Sequence, residues 1–519
     1  MRHSKHPTSD VLLTASEKMD STQVAVIGGG PGGYAAAFLA ADLGLQVTLI
    51  DLEPNPGGVC LYRGCIPSKA LLHVAKVISD SRQAARWGVS FSEPEIDLDR
   101  MRSWKDSVVN KLTGGLGQLS RQRRINYIQG RASFLDARTL KIERDGNVLR
   151  PTSERPTSVS KTDVGRRTYR RRMYEEQQLS FEQAILATGS RPALLPGLSL
   201  NSPRVLDSTT ALELRDIPKN MLVVGGGYIG LELGTVYAAL GTEVSLVEMT
   251  SGLLPGVDRD LVAILAKRIN RIFNSVMLST RVVEMKEERE GIRVRFEGAE
   301  VKSTEAVFEK VLVAVGRTPN SSGLGLENTR VEINSRGFIK VDAQRRTAEP
   351  TIYAIGDVAG EPMLAHKATH EGRVAAEAIA GHRVAFEPRA IPAVVFTDPE
   401  IAWCGLSETQ AQAEGRSVKV TRFPWGASGR ATTLDAQDGV TKLVIDPESE
   451  RILGVGIVGS GAGELIAEGV LAVEMAALAS DLKLSIHAHP TLSETIMEAA
   501  EVFFGQSTHL YRTSNVRRK

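Results

Sequence analysis

Two of the three cysteines in this 519-residue chain, Cys60 and Cys65, stand five positions apart in Gly57-Gly58-Val59-Cys60-Leu61-Tyr62-Arg63-Gly64-Cys65-Ile66-Pro67-Ser68-Lys69. The stretch opens on a glycine pair and runs into the helical-looking Lys69-Ala70-Leu71-Leu72-His73-Val74. Thiols at the first turn of a helix face the positive end of its dipole and its free N–H groups, which favour thiolate over thiol. Such a pair is primed for thiol–disulfide chemistry. A structural zinc site needs four ligands, and Cys404 is the one cysteine left, so zinc is a poor reading. A reduced, inert core pair stays open on these residues alone, because free cysteine commonly serves as a small core residue.

A second group lies near the C-terminus, in His487-Ala488-His489-Pro490-Thr491-Leu492-Ser493-Glu494. Pro490 biases His489 toward an extended conformation ahead of a helix. Thr491 with Glu494 three residues on has the spacing of a capping box, and Gly505 is placed to end the helix. On that reading Glu494 only caps. On the other, Glu494 accepts a hydrogen bond from one ring nitrogen of His489 and leaves the second nitrogen to take a proton from a thiol. The sequence leaves the two open.

The elements that must position these groups are two copies of one unit. The apolar strand Val24-Ala25-Val26-Ile27 leads into Gly28-Gly29-Gly30-Pro31-Gly32-Gly33, a helix, and a second strand that ends in Asp51. This is the dinucleotide fingerprint: Gly28 allows the tight turn, Gly30 lets backbone approach a pyrophosphate, Gly33 lets helix and strand pack closely, and Asp51 accepts from a ribose hydroxyl. Met221-Leu222-Val223-Val224 then leads into Gly225-Gly226-Gly227-Tyr228-Ile229-Gly230, a helix over 231–240, and a strand ending in Glu248. Gly28, Gly44 and Asp51 recur as Gly225, Gly241 and Glu248, each 197 residues on. One chain is therefore expected to bind two dinucleotides. Glu248, with no arginine beside it, suits the free 2′-hydroxyl of NAD and repels the 2′-phosphate of NADP.

Two further strands end on similar turns, Ala187-Thr188-Gly189-Ser190-Arg191-Pro192 and Val315-Gly316-Arg317-Thr318-Pro319, and read as linkers that close the two units. A third, Thr351-Ile352-Tyr353-Ala354-Ile355, ends on Gly356-Asp357 beside a helix over 366–380. Asp357 either caps that loop or holds a ligand hydroxyl.

At 519 residues the chain exceeds one hydrophobic core and divides into about three or four domains. Its 42% hydrophobic and 24% charged residues describe a globular α/β chain, neither fibrous nor disordered. Lys+Arg 63 against Asp+Glu 61 gives no bulk charge with which to seek nucleic acid or a membrane surface. No apolar run approaches the roughly 18 residues that span a bilayer, and three cysteines cannot build a secreted disulfide scaffold, so a cytoplasmic protein is expected. The expected divisions are a disordered tail over 1–22, a first nucleotide unit over 23–198, a second over 199–317, a return to the first over 318–388, and a separate α+β domain over 389–519. Residues from about 150 to 178 read as a solvated insertion between two hairpin strands. Its run Arg166-Arg167-Thr168-Tyr169-Arg170-Arg171-Arg172 is the alternative, a basic patch for an acidic partner.

Taken in order, Gly-Gly-Val-Cys60-x4-Cys65-Ile-Pro-Ser-Lys69, the two glycine-rich units, the Ala-Thr-Gly strand, Gly356-Asp357 and His489-Pro490-Thr491-Leu492-Ser493-Glu494 closely resemble the dihydrolipoamide dehydrogenases. These are the lipoamide-oxidising flavoproteins among the pyridine-nucleotide disulfide oxidoreductases, and the resemblance runs from residue 23 to about 505. It implies an α/β fold with two Rossmann-like domains, for FAD and NAD, and a C-terminal α+β dimerisation domain. It assigns FAD to Gly28, Gly30, Gly33, Asp51, Lys69, Thr188, Gly189, Asp357 and Ala365, and NAD to Gly225, Gly227, Gly230, Glu248 and Gly316. By the same resemblance Cys60 meets the substrate as interchange thiol and Cys65 lies against the flavin as charge-transfer thiolate. Lys69, four residues and about 6 Å along the same helix face, pairs with Glu232 near the flavin. The chain is implied to act as a homodimer in which His489 and Glu494 serve the disulfide of the opposite subunit, with lipoyl domains of 2-oxo acid dehydrogenase or glycine cleavage complexes as partners. Tyr62 and Arg63 depart from the commoner Asn-Val between the cysteines. Alternatives are a reductase of glutathione-like substrates, opposed by Glu248; a mercuric reductase, which would want a C-terminal cysteine pair; and a noncatalytic FAD-binding redox sensor.

Overall fold

Val24, Ala25 and Val26 are fully enclosed in the computed structural model, which describes residues 20–145, 174–194, 200–298 and 304–511. They lie on the strand Asp20–Ile27, inside a sheet of order 126–129, 47–51, 20–27, 174–186, 139–145, 131–136, with Ile352–Ala354 added against 174–186. Parallel neighbours on both sides and helices over the sheet bury both faces of this strand, so it reads as a continuous apolar run and not as an alternation. The strand begins at Asp20, so residues 20–22, grouped with the tail from sequence, are sheet: Asp20 pairs with Leu179, and the Thr22 hydroxyl donates to the Gln46 carbonyl at 3.0 Å. Polar side chains at the strand's mouth hid it. The remaining tail, 1–19, lies outside the described residues.

The second sheet, of order 275–277, 243–247, 220–224, 310–313, 205–206, is parallel throughout. The helix Tyr228–Ala239 joins two of its strands as Pro31–Asp42 does in the first sheet. The repeat in the sequence is a repeat in atoms. Gly28 and Gly225 have φ of +104° and +112°, and a Cβ on Gly33 would lie 1.8 Å from the Gly28 carbonyl oxygen, one on Gly230 2.2 Å from that of Gly225. The two turns read as separate linkers are one ladder, Ser190–Pro192 pairing antiparallel with Arg317–Pro319.

The last unit is an antiparallel sheet of order 393–395, 400–405, 452–459, 440–445, 419–424, with Trp425, Leu443, Ile457 and Ile496 in the core it shares with its helices. Two helices follow its last strand, Ala462–Glu474 and Ala479–Leu484, separated where Ala476 turns left-handed at φ +52°. Fully buried Lys442 on this sheet bonds Asp258 (2.7 Å) and Asp260 (2.9 Å) at the edge of the second unit, and Glu408 (2.8 Å) on its own. The strands Thr139–Asp145 and Tyr174–Leu186 pair as a hairpin, so residues 174–178, placed in the insertion from sequence, are strand, with Gln177 opposite Ile142; the basic run lies outside the described residues. Among the described residues, no helix is long and apolar enough to cross a membrane.

Candidate active site

Gly57 and Gly58, at φ +159° and +56°, turn the chain sharply ahead of the cysteines. A Cβ on Gly58 would stand 2.5 Å from the Cα of Gly30, so the glycine pair lets the cysteine segment lie against the first glycine-rich turn. Cys60 sits on a short helix of its own, Gly58–Arg63, and Cys65 opens the long helix Cys65–Gln83. Both cysteines thus lie in the first turn of a helix, as expected, but of two different helices. The Cys60 thiol hydrogen-bonds the Cys65 sulfur, and this bond is the main reason Cys65 is lowered to about 7, against burial and with help from the Lys69 charge. The same bond, with burial, pushes Cys60 far up. One sulfur is poised as thiolate and its neighbour as thiol. Cys404 differs: it is buried on a core strand, and burial pushes it up to about 12.

Lys69 Nζ lies 2.8 Å from Glu232 Oε2, as expected from the family pattern, and Glu232 is 3% exposed. Ser68 Oγ donates to the same oxygen at 3.4 Å, and the Phe396 N–H donates to Oε1 at 3.0 Å.

Cys60, Cys65, Lys69 and Glu232 open onto one cavity of about 860 Å³, which also reaches Gly28, Gly30 and Asp51. Its far wall includes Thr188, Gly189, Asp357 and Ala365. The space suits FAD. The nearest atom to a Cβ on Gly30 would be 4.0 Å away, leaving backbone open at the start of the helix Pro31–Asp42, where a pyrophosphate is favoured. Asp51 accepts from the Gly29 N–H and from the Glu53 N–H at 2.9 Å; burial nevertheless holds its carboxyl above the usual range. Gly33 does not line the cavity; its part is the close contact with Gly28.

Gly225, Gly227, Gly230, Glu248 and Gly316 lie outside that cavity, in the second unit. Glu248 repeats the Asp51 arrangement, accepting from the Gly226 N–H (2.7 Å) and the Thr250 N–H (2.7 Å). No atom stands within 4 Å of a Cβ on Gly227 or Gly316, which leaves room for a nucleotide beside the helix Tyr228–Ala239. Three cavity residues escaped the sequence reading. Ser190 Oγ donates to Asp357 Oδ2 at 2.5 Å and accepts from Arg317 Nε at 2.7 Å, and Tyr228 covers the wall toward the second unit. The signal was the pair of similar turns, whose mutual pairing carries Arg317 across.

His489 Nδ1 lies 2.9 Å from Glu494 Oε1, while Glu494 Oε2 accepts the Thr491 N–H at 2.8 Å. Burial opposes ionisation of Glu494, but the Thr491 N–H and His489 outweigh it and hold the carboxyl below its usual range. The His489 side chain is 72% exposed and does not line the cavity. Within one chain, then, the site residues fall into a cysteine group and an imidazole group.

A family model described as pyridine nucleotide-disulphide oxidoreductase matches residues 22–372. The chain belongs to this family. The dimerisation domain of the pyridine nucleotide-disulphide oxidoreductases matches residues 391–500, which hold His489 and Glu494. The chain is 47% identical to the dihydrolipoyl dehydrogenase of Haemophilus influenzae, over 94% of this chain and 96% of that one. It is 42% identical to that of Geobacillus stearothermophilus, over 94% and 97%. Among solved structures it is similar to LpdA of Mycobacterium tuberculosis, with a TM-score of 0.81 and 25% identity over 93% of this chain and 99% of that one. It is also similar to the HOCl-induced flavoprotein disulfide reductase RclA of Escherichia coli in its Cu(II) complex, with a TM-score of 0.78 and 25% identity over 93% and 100%.

Proposed function

We propose that this protein oxidises protein-bound dihydrolipoamide to lipoamide, passing electrons through the Cys60–Cys65 disulfide and FAD to NAD. The observation that carries this reading is that the two sulfurs and the first glycine-rich turn open onto one cavity. Near-full-length identity to proteins named dihydrolipoyl dehydrogenase supports it.

His489, oriented by Glu494, takes a proton from one substrate thiol. The resulting thiolate attacks Cys60 of the disulfide, forming a mixed disulfide and releasing Cys65 as thiolate. The second substrate thiol then displaces Cys60 and passes its proton to it, so lipoamide leaves oxidised, Cys60 leaves as a thiol and the dithiol holds the electron pair. Gly28, Gly30, Asp51, Thr188, Gly189 and Asp357 would hold FAD in the cavity, and Gly225, Gly227 and Glu248 would hold NAD; bound, these groups would supply the two-electron redox chemistry that reoxidises the dithiol. Lys69 keeps a positive charge beside Cys65 through the cycle, and Cys60, kept protonated, leaves Cys65 as the anionic sulfur.

Because His489 stands away from the cavity of its own chain, the reading places it against the disulfide of a second copy in a homodimer, consistent with the dimerisation domain. The partners proposed are lipoyl domains of 2-oxo acid dehydrogenase or glycine cleavage complexes. A reducing cytoplasm suits two free redox thiols. We divide the chain as 20–198 and 318–388 for FAD, 199–317 for NAD and 389–519 for dimerisation. Steady-state oxidation of dihydrolipoamide with NAD, set against NADPH-driven reduction of glutathione disulfide, tests the proposal. Preference for the second reaction overturns it.

A further inference from the structure

Phe396 belongs to the dimerisation domain, one residue beyond the strand Ala393–Val395, yet it touches the helix that carries Cys65. Its backbone N–H donates to Glu232 Oε1 at 3.0 Å, and its ring centroid lies 4.6 Å from Lys69 Nζ. Glu232 thus joins all three units: it stands on the second, binds Ser68 and Lys69 of the first through Oε2, and binds Phe396 of the third through Oε1. The ring is itself backed. A Cβ on Gly463 would meet Phe396 Cε1 at 3.5 Å, so the ring packs on the first turn of the helix Ala462–Glu474.

A lysine stem has large rotamer freedom, and the Lys69 side chain is still 32% exposed. Glu232 alone would hold the ammonium by a single oxygen. An aromatic face attracts the cation from the other side and keeps water from the pair. Where the ammonium stands matters, because Lys69 favours the Cys65 thiolate while Glu232 opposes it.

We infer that Phe396 is a positioning residue for the disulfide chemistry: its ring and amide hold the Lys69–Glu232 pair in place, so that the dimerisation domain fixes where the Lys69 charge stands beside Cys65. The inference rests on the redox role proposed for Cys65. The titratable groups that face Cys65 are Cys60, Lys69, Glu232 and the Tyr228 hydroxyl. On the Phe396 segment, Asp398 is engaged by Arg268 at 3.8 Å and Glu400 by the Gly463 N–H at 2.8 Å.

The test uses the reduced, FAD-loaded enzyme and follows the long-wavelength charge-transfer absorbance of the Cys65 thiolate against pH. Phe396→Leu keeps the amide and removes the ring face; Phe396→Tyr keeps both; a trifluorinated phenylalanine at 396 keeps the volume and weakens the ring's attraction for a cation. Phe396→Leu is expected to raise the midpoint by about half a pH unit, roughly threefold less thiolate on the acid side. The fluorinated ring should move it part of the way, and Phe396→Tyr should leave it at the wild-type value. Wild-type midpoints in both the leucine and fluorinated proteins overturn the inference, even if turnover falls. Should Phe396→Leu not fold, the fluorinated protein decides alone. A wild-type enzyme that shows the shift in its variants but does not oxidise dihydrolipoamide overturns the substrate reading and leaves the role of Phe396 standing.

Discussion

Glu494 holds His489 with one carboxylate oxygen and ties down the loop ahead of its helix with the other, at 2.9 Å to His489 Nδ1 and 2.8 Å to the Thr491 N–H. Of the two readings that the sequence left open, the bond to His489 forms and the capping box does not: the helix Glu494–Phe504 begins on Glu494 itself, with Ser493 ahead of it and no side-chain cap. A glutamine has a single oxygen. In Glu494→Gln either the Thr491 N–H or the imidazole faces an amide N–H₂, which cannot accept a hydrogen bond or stabilise an imidazolium.

Glu494→Gln is therefore expected to lower kcat for dihydrolipoamide oxidation by about 10²-fold, the low end of general-base effects, while costing about 1 kcal/mol of stability at most, the scale of one lost hydrogen bond. Stopped-flow reoxidation of the reduced enzyme by NAD, which bypasses His489, should keep its wild-type rate. An equal loss in both half-reactions would remove Glu494 from the thiol step.

Cys65 is lowered to about 7 from an ordinary value of 9.0, chiefly by the hydrogen bond from Cys60. A depressed thiol is anionic at a lower pH than usual, so in the reduced protein its thiolate should be present above about pH 7 and vanish below. Cys60→Ala removes the donor and should raise that midpoint by about one unit or more. Ultraviolet thiolate absorbance of the reduced proteins against pH reads both. A midpoint unmoved by Cys60→Ala would transfer the effect to Lys69 and the helix N-terminus.

Most of the fold was legible because its signals are local. Gly28, Gly30, Gly33 and Asp51 declare a strand, turn, helix and strand within 24 residues, and the copy at Gly225 declares another. Cys60, Cys65 and Lys69 were readable for the same reason. What stayed hidden depends on contacts between distant segments. Ser190 and Arg317 meet at Asp357 only because two turns far apart in sequence pair with each other. Phe396 reaches Glu232 from 164 residues away, and no spacing rule predicts that. Residues 20–22 were missed for a different reason: their side chains are polar, and their sheet partners, near Leu179, follow the long insertion.

The two fingerprint glycines make separable predictions. In Gly33→Ala the new methyl meets the Gly28 carbonyl oxygen in the FAD unit; in Gly230→Ala it meets that of Gly225 in the NAD unit. Each clash forces helix from strand, an overpacking cost of about 1–3 kcal/mol. Gly33→Ala should purify with FAD largely lost, read from the flavin-to-protein absorbance ratio. Gly230→Ala should retain FAD and reduce artificial acceptors with dihydrolipoamide, but show KM for NAD raised about tenfold or more. FAD loss in Gly230→Ala alone would exchange the two assignments.

Lys442 ties the second unit to the dimerisation domain through Asp258, Asp260 and Glu408, and it is fully enclosed. Removing Lys442 leaves buried Asp258 without its cation, while the partly exposed Asp260 and Glu408 keep Arg422, so Lys442→Met should cost about 3 kcal/mol in denaturant unfolding. The cluster also gives a pH signature. Burial raises Asp258, but hydrogen bonds from Lys442 and Thr409 outweigh it and hold the carboxyl at about 2. A carboxyl depressed on folding stabilises the native state above its unfolded value and loses that contribution as pH falls through the folded one. The stability difference between wild type and Asp258→Asn should thus be constant near neutrality and shrink as pH falls from about 4 toward 2. Parallel unfolding midpoints across that window would mean that Lys442 is held by Asp260 and Glu408 alone.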